Sequence, residues 1–377
     1  MTDKDYMRRA IALARQGEGW CHPNPLVGAV IVKDGRIIGE GYHARFGELH
    51  AERAALQSLT EDAAGATIYV TLEPCCHHGH QPPCTDAIIA AGLGRVVIGS
   101  RDPNPLVAGK GAAVLRSHGI LVEEDFLKEE CDRLNPAFFH FMTRRTPYVI
   151  MKAAMTADGK IATRTGASQW ISCEASRQRV QQLRHSCMGI LCGIGTVLAD
   201  DPRLTCRLPN GRSPERFICD SRLRLPPDSR LVQTAKEVPV WDVCAVDSLP
   251  AGEMKTAASF PVEYRHRAAV LLDAGVRLLN CPGAQGVDLT DLMRLLGERR
   301  MDSVLLEGGA ALNDAAIRSG IVSHIDLFLA PLIFGGTAKS PVGGTGVAVP
   351  DEAARFEITD TERVGSDLLI HLIPREG

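Results

Sequence analysis

Two segments, His50-Ala-Glu52 and Pro74-Cys-Cys-His-His-Gly-His-Gln-Pro-Pro-Cys84, contain the residue types of a zinc site. One imidazole and two thiolates give three ligands, the number that a catalytic zinc takes while its fourth position stays open to water. Glu52 lies two residues beyond His50, so its carboxylate can stand near the metal without binding it and can transfer protons. We therefore predict that His50, Cys75 and Cys84 bind zinc and that Glu52 is the catalytic acid–base.

The spacing of the cysteines departs from the pattern of the zinc nucleobase deaminases, which is His-x-Glu followed by Pro-Cys-x-x-Cys. Eight residues separate Cys75 from Cys84, where that pattern has two. A structural zinc would take a fourth protein ligand. Candidates for that ligand lie in the same segment: Cys76, His77, His78 and His80. A closed structural site is therefore the alternative to a catalytic one.

Length and charge indicate a two-domain globular protein without a nucleic-acid partner. The chain has 377 residues, 45% of them hydrophobic and 23% charged, which suits two soluble domains. Residues 1–146 contain 16 Lys and Arg against 18 Asp and Glu, and the remainder contains 26 against 27. A nucleic-acid base deaminase with an appended binding module should have a basic surface and many stacking aromatics. The even charge and the 5% aromatic content disfavour that alternative.

The sequence also predicts a cytoplasmic protein that does not enter membranes. It has no apolar run of about 18 residues, and its N-terminus lacks the apolar core of a signal peptide. Twelve cysteines in a long chain without a secretion signal are typical of reduced thiols in the cytosol. We expect a small-molecule substrate, and a homo-oligomer is compatible with the sequence.

Hydrophobic periodicity in the first 146 residues predicts an α/β sandwich. Residues 4–16 have helical spacing, and helices are expected to begin at His50 and at Pro83-Cys84. Residues 123–142 also have a helical pattern. Strands are predicted at Val27–Val32, Arg36–Gly41, Thr67–Thr71 and Arg95–Gly99, the first two as a hairpin. Alternation of strands and helices favours layered α/β packing. It also places the zinc ligands near positive helix ends, which stabilise thiolates.

After the Arg144-Arg-Thr-Pro147 junction the pattern starts again with a strand at Tyr148–Ala154. We predict a helix at Glu174–His185 and a tight turn at Gly193–Thr196. Further strands are predicted at Met188–Cys192, Arg216–Cys219, Val238–Val246, Val276–Leu279 and Ser303–Leu306. Two C-terminal runs, His324–Leu332 and Asp367–Ile373, are expected to close the sheet as antiparallel strands. The predicted domains are therefore residues 1–146 and 147–377.

The segment Thr71-Leu-Glu-Pro-Cys-Cys-His-His-Gly-His-Gln-Pro-Pro-Cys84 resembles the deaminase motif of the bifunctional riboflavin-biosynthesis deaminase/reductases, which share its eight-residue gap. Further matching segments are Asp102-Pro-Asn-Pro105, Ser168-Gln-Trp-Ile171, Thr196-Val-Leu-Ala-Asp-Asp-Pro-Arg-Leu-Thr205 and Glu307-Gly-Gly309. The resemblance thus extends over nearly the whole chain. It implies an N-terminal cytidine-deaminase-like α/β/α sandwich followed by a dihydrofolate-reductase-like α/β domain.

The same resemblance implies two consecutive reactions and two cofactors. The first is zinc-dependent hydrolytic deamination of 2,5-diamino-6-ribosylamino-4(3H)-pyrimidinone 5′-phosphate. The second is reduction by NADPH of the ribosyl group of 5-amino-6-(5-phosphoribosylamino)uracil to a ribityl group. The other alternative, a non-enzymatic zinc protein with a degenerate nucleotide fold, predicts that the proton shuttle is missing, whereas Glu52 is present.

Matching motif by motif, the resemblance implies roles for residues of the second domain. Nucleotide contacts correspond to Ala154, Trp170, Thr196, Asp200 and Ser221, and the pyrophosphate loop to Gly309, Ala310, Ala311, Leu312 and Asn313. Substrate contacts correspond to Ser168, Arg184, Leu204, Arg207 and Glu307. The residue types agree with these roles. Glycines between a strand and a helix let backbone N–H groups approach a phosphate, and guanidinium groups form bidentate hydrogen bonds to a sugar phosphate.

Three polar residues are candidates for the substrate pocket of the first domain: Asn24, His43 and Asn104. Each lies in a loop flanked by proline or glycine. For Asn24 and Asn104 the alternative role is turn formation beside proline, which asparagine commonly supports.

Overall fold

The computed structural model describes residues 1–77, 82–104 and 107–375. These residues form two compact units, Met1–Arg145 and Thr146–Gly377. Within the described residues, no helix is both long enough and apolar enough to cross a membrane. The twelve cysteines are all free.

A five-stranded sheet with the order β2-β1-β3-β4-β5 forms the centre of the first unit. β1 is antiparallel to β2 and β3, while β3, β4 and β5 are parallel. In chain order the elements are α1 Asp3–Ala14, β1 Gly28–Lys33, β2 Arg36–Tyr42, α2 Ala51–Gln57, β3 Thr67–Leu72, α3 Cys84–Ala90, β4 Arg95–Ser100, α4 Lys110–Ser117, β5 Leu121–Glu123, α5 Lys128–Asp132 and α6 Pro136–Arg144. A short 3₁₀ turn, Arg15–Gly17, follows α1.

Alternating side chains of these strands build a core on each face of the sheet. Ile31 and Ile68 point to the face covered by α2, α3 and α4, whereas Val30 and Tyr69 point to the face covered by α1. A Cβ added to Gly41 would lie 2.3 Å from the backbone nitrogen of Ala55, so α2 packs against bare β2 backbone. The predicted α/β/α sandwich is confirmed.

The strands and the first helices of this unit match the predicted segments to within one or two residues. Asp34 and Gly35, with φ of 49° and 74°, form the predicted hairpin turn. Within residues 123–142, where a helical pattern was predicted, the chain forms two helices, α5 and α6, with a break between them. Pro136 occupies the first turn of α6 and lacks the N–H that a continuous helix would use. Helix α4 and strand β5 were not predicted.

The second unit contains a ten-stranded sheet with the order β10-β11-β9-β8-β7-β14-β6-β15-β17-β16. Its elements are β6 Tyr148–Thr156, α7 Glu174–Ser186, β7 Gly189–Gly193, α8 Ile194–Asp200, β8 Glu215–Cys219, α9 Arg230–Gln233, β9 Val240–Cys244, β10 Gly252–Met254, α10 Val262–Asp273, β11 Arg277–Asn280, β12 Pro282–Gly283, β13 Gly286–Val287, α11 Leu289–Glu298, β14 Ser303–Leu306, α12 Ala310–Arg318, β15 Val322–Ala330, β16 Phe356–Val364 and β17 Asp367–Pro374. Short 3₁₀ turns lie at Ala257–Ser259 and Pro350–Glu352.

Seven central strands of this sheet are parallel, and the remaining strands pair antiparallel at its two ends. Apolar side chains from both faces form two large cores. The neighbours β7, β14 and β6 end at one edge of the sheet, and ligands of open α/β sheets bind outside the carboxyl ends of such strands.

Most predicted elements of this unit are confirmed, including α7 and the antiparallel pairing of β15 with β17. The predicted tight turn at Gly193–Thr196 was wrong, since α8 begins at Ile194 directly after β7. Strand β16 was missed because most of its side chains are exposed, so its sequence lacks an apolar pattern.

Candidate active sites

Three predicted zinc ligands converge in the first unit from separate elements. His50 immediately precedes α2, Cys75 follows β3, and Cys84 is the first residue of α3. His50 Nδ1 lies 3.5 Å from Cys75 Sγ and 3.4 Å from Cys84 Sγ. A tetrahedral zinc with ordinary Zn–N and Zn–S bonds separates such ligand atoms by about 3.6 Å. The three residues therefore fit a zinc ion.

The described residues provide three ligands at this position. All three ligand atoms lie within 4.8 Å of one another, and neither Cys76 nor His77 belongs to the group. His77 instead lines the adjacent cavity, where its buried Nδ1 has no hydrogen-bond partner in the described part of the chain. His78 and His80, the other candidates for a fourth ligand, lie outside the described residues. Three ligands and a neighbouring cavity are the arrangement of a catalytic zinc site.

The two thiols are electrostatically linked. A hydrogen bond from Cys84 lowers the pKa of Cys75, and the same bond raises the pKa of Cys84. The backbone N–H of Cys84 also donates to Cys75 Sγ over 3.4 Å, as expected at the beginning of a helix. The pair therefore favours negative charge at the position where a cation would bind.

Glu52, in the first turn of α2, lines the same cavity, and only 3% of the residue is exposed. Burial raises the pKa of Glu52 to about 7, and the negative charge of Cys75 acts in the same direction. A carboxyl group with a pKa near neutrality can both take up and release a proton, as general acid–base catalysis requires.

The cavity beside these residues has a volume of about 230 Å³ and contains the three predicted pocket residues, Asn24, His43 and Asn104. His43 Nδ1 lies 2.9 Å from the carbonyl oxygen of Leu49, and its Nε2 lies 3.2 Å from Asn24 Nδ2. These contacts assign the proton to Nδ1 and make Nε2 an acceptor. Burial lowers the pKa of His43, which keeps the imidazole neutral. The pocket thus has oriented, uncharged polar groups.

Asp102 is a lining residue that was not assigned a role from the sequence. Its Oδ1 accepts a hydrogen bond from the backbone N–H of Asn104 over 2.8 Å, and burial raises its pKa to about 6. Asp102 lies two residues after the end of β4, within Asp102-Pro-Asn-Pro105, and this position is the sequence signal for its role.

A cavity of about 660 Å³ in the second unit contains most of the residues predicted to contact nucleotide or substrate. The predicted residues that line it are Ala154, Ser168, Trp170, Arg184, Thr196, Asp200, Leu204, Arg207, Glu307 and Asn313. Six basic and three acidic side chains line this cavity. That excess of positive charge suits phosphorylated ligands.

Arg184 and Glu307 form a buried ion pair in this cavity. Arg184 Nε lies 2.6 Å from Glu307 Oε1, and the second guanidinium nitrogen lies 2.9 Å from Oε2. The third nitrogen donates to the carbonyl oxygen of Thr205 over 3.1 Å. Arg184 therefore neutralises Glu307, while Arg207 adds positive charge to the same cavity.

Gly308 and Gly309 connect β14 to α12 where backbone and side chains approach closely. A Cβ on Gly308 would lie 2.5 Å from Asn313 Oδ1, and one on Gly309 would lie 3.1 Å from Thr196 Oγ1. Asn313 Oδ1 is buried and has no hydrogen-bond partner within the described ranges. Bare backbone at a helix N-terminus fits a nucleotide phosphate. The unsatisfied Asn313 acceptor instead requires a hydrogen-bond donor, such as a hydroxyl or amide group of a ligand.

Some predicted nucleotide contacts lie outside the 660 Å³ cavity. Gly309, Ala310, Ala311 and Leu312 lie between its lining residues Gly308 and Asn313. Ser221 instead lines a second cavity of about 490 Å³, together with Arg222, Arg224 and Gly286. The structure therefore places Ser221 apart from the other predicted contacts.

Lys152 lines the 660 Å³ cavity and was not predicted as a site residue. Burial lowers the pKa of its ammonium group, against the opposing effect of the Glu307 carboxylate. Lys152 is the one charged residue in the apolar segment Tyr148–Ala154. A single charge in such a strand is the sequence signal for a site residue.

Two family models match the chain, one in each unit. The model described as "Cytidine and deoxycytidylate deaminase zinc-binding region" matches residues 1–100. The model described as "RibD C-terminal domain" matches residues 147–370.

Curated relatives match over almost the full length. Riboflavin biosynthesis protein RibD of Actinobacillus pleuropneumoniae is 52% identical, with 99% of this chain and 96% of the relative covered. The protein of the same name from Escherichia coli is 39% identical, with 99% and 100% covered.

Solved structures match over the same extent. Acinetobacter baumannii RibD (form 2) has a TM-score of 0.83 at 34% identity, with 99% of each chain covered. A diaminohydroxyphosphoribosylaminopyrimidine deaminase/5-amino-6-(5-phosphoribosylamino)uracil reductase from Thermotoga maritima has a TM-score of 0.84 at 37% identity, with 99% of this chain and 98% of the other covered.

Proposed function

The chain belongs to the RibD family of riboflavin-biosynthesis deaminase/reductases, and from that premise we propose how its residues divide the two reactions. It is a bifunctional enzyme with a zinc-binding deaminase domain and a reductase domain. We assign deamination of 2,5-diamino-6-ribosylamino-4(3H)-pyrimidinone 5′-phosphate to residues 1–146. Reduction of 5-amino-6-(5-phosphoribosylamino)uracil by NADPH is assigned to residues 147–377. The twelve free cysteines support a cytoplasmic location.

In the deaminase domain, His50, Cys75 and Cys84 would hold a zinc ion, which when bound would lower the pKa of a water molecule to about 7. Glu52 accepts the proton of that water and delivers it to the departing amino group. The amino group leaves as ammonia, and the ring carbon gains a carbonyl oxygen. The amide of Asn24, oriented by its hydrogen bond to neutral His43, binds the pyrimidine edge in the cavity.

In the reductase domain, the 660 Å³ cavity would hold NADPH, which when bound would supply a hydride to C1 of the ring-opened ribosyl group. Arg207 binds the sugar phosphate by charge-assisted hydrogen bonds. Lys152 supplies a proton to the opening sugar, since its buried ammonium group has a lowered pKa and lines the same cavity. The remaining contribution of the cavity is to hold C1 against the nicotinamide.

The observation that carries this proposal is the arrangement of His50, Cys75 and Cys84 beside a cavity that also contains Glu52. The experiment supplies the zinc-loaded protein with the diaminopyrimidine phosphate. Without NADPH we expect ammonia release alone, and with NADPH we expect ammonia release followed by NADPH oxidation. Starting from the aminouracil phosphate, NADPH should be oxidised without ammonia. NADPH oxidation from the first substrate without ammonia release would contradict the order of reactions.

A further inference from the structure

A second group of potential metal ligands lies in the outer part of the ten-stranded sheet. Asp326 Oδ1 is 2.8 Å from His324 Nε2 and 2.7 Å from His371 Nδ1, and these two imidazole nitrogens are 3.3 Å apart. None of the three residues lines the cavities described above. The established reactions therefore leave this cluster without a role.

The sheet holds the three side chains on one face. His324 and Asp326 are two residues apart on β15, so they point to the same side. His371 on β17 is the direct cross-strand partner of Asp326. The pairing of β15 with β17 fixes the backbone positions of the three residues, so their ligand atoms lie close together before any ion binds.

We propose that His324, Asp326 and His371 form a second site for a divalent transition metal, filled by zinc, that links β15 to β17. A tetrahedral zinc separates two imidazole nitrogens by about 3.3–3.4 Å, which the N···N distance already matches. The shorter N···O distances are hydrogen bonds, so binding an ion requires that the two ring nitrogens give up their protons and that the Asp326 carboxylate moves away from them. Two imidazoles and one carboxylate are a common ligand set for zinc.

The surroundings of His371 agree with a metal ligand. Its Nε2 lies 3.5 Å from Glu362 Oε1 on β16, while its Nδ1 faces the proposed ion position. Metal-binding histidines usually direct their second nitrogen to a carboxylate, which fixes the ring orientation. About a fifth of each imidazole side chain is exposed, at 19% for His324 and 17% for His371. An ion can therefore enter, and water can complete its coordination.

The test is the zinc content of the full-length protein, measured by mass spectrometry after equilibration with zinc and removal of excess metal. We expect two zinc ions per chain in the wild type, one at each ligand group. His371→Gln should retain one. His266→Gln is the matched control, since His266 is an exposed histidine on α10 and should leave both ions bound.

Cobalt provides an assignment that does not depend on the variants. Cobalt at the first site should give thiolate-to-metal charge-transfer bands, whereas cobalt at the proposed site should give only ligand-field bands. Saturating cobalt should therefore produce two spectral components in the wild type. One zinc ion per chain together with a single, thiolate-type cobalt spectrum would overturn the proposal and leave the cluster as a hydrogen-bond network. That result would leave the deaminase assignment intact.

Discussion

Replacing Arg184 with Met should destabilise the second unit strongly, because it leaves the buried Glu307 carboxylate without its partner. Only 11% of the Arg184 side chain and 14% of the Glu307 side chain are exposed. Breaking a buried ion pair from one side costs about 3–5 kcal/mol. For a unit of this size that is a fall in Tm of roughly 10 °C. Urea unfolding followed by tryptophan fluorescence measures the loss, since Trp241 is buried in this unit.

The stability lost in Arg184→Met should also depend on pH. Burial by itself would raise the pKa of Glu307, but the charge of Arg184 and its hydrogen bonds hold that pKa below the ordinary value. In the wild type this pair therefore stabilises the fold above the unfolded pKa of 4.5, and the contribution is lost as pH falls. In Arg184→Met burial dominates, so the destabilisation should grow as pH rises above 4.5.

Two comparisons isolate the charge effect. The double variant Arg184→Met/Glu307→Gln should recover most of the stability, because no buried charge is left unpaired. Arg294→Met removes two surface ion pairs on α11, with Asp291 and with Glu298, and should cost about 1 kcal/mol or less. Equal stabilities of Arg184→Met and Arg294→Met at neutral pH would show that the Glu307 carboxylate does not depend on Arg184.

Three further predictions concern the zinc ligands, the nucleotide and Glu52. Cys75→Ser should lower zinc content, whereas Cys76→Ser should not; metal analysis decides, and loss of zinc in Cys76→Ser would indicate a closed site. Arg222→Ala should lower the NADPH to NADH ratio of kcat/KM by about 10- to 100-fold if Arg222 binds the 2′-phosphate. Arg224→Ala should change it less, since Arg224 is paired with Asp220, and an unchanged ratio in Arg222→Ala refutes the assignment. With zinc chelated, Glu52→Gln should raise the free energy of unfolding by about 3 kcal/mol above pH 7 and by little below pH 4.5. This follows because burial raises the pKa of Glu52 from 4.5 to about 7, so the wild-type fold loses stability as pH rises from 4.5 through 7. Equal stability of the variant and the wild type at pH 8 would contradict it.

Local chemistry explains which parts of the fold could be predicted from the sequence. The hairpin at Asp34-Gly35 and the start of α3 at Pro83-Cys84 each have a residue whose backbone preference specifies the turn or the helix end. The exposed strand β16 has no such signal, because its pairing with β17 and not its own composition makes it a strand. Pro136 is the local signal for the break between α5 and α6, because proline lacks the N–H that a continuous helix would use.

The residues of the candidate sites likewise divide into those with a local sequence signal and those without one. His50 and Cys75 were found because metal ligands have a restricted set of residue types and spacings. Lys152 and Asp102 were missed as site residues, because whether an isolated charge faces a cavity depends on tertiary packing. The pairing of Arg184 with Glu307 joins residues 123 positions apart, so nothing in the local sequence indicated it.

The most direct test of two separate sites in one chain is Glu52→Gln assayed with both substrates. The variant should keep its zinc and lose at least 10²-fold in ammonia release from the diaminopyrimidine phosphate, the lower end of about 10²–10⁴ for general acid–base catalysis. Its NADPH oxidation with the aminouracil phosphate should equal that of the wild type. Near-normal ammonia release, or a parallel loss of NADPH oxidation with the second substrate, would contradict the account.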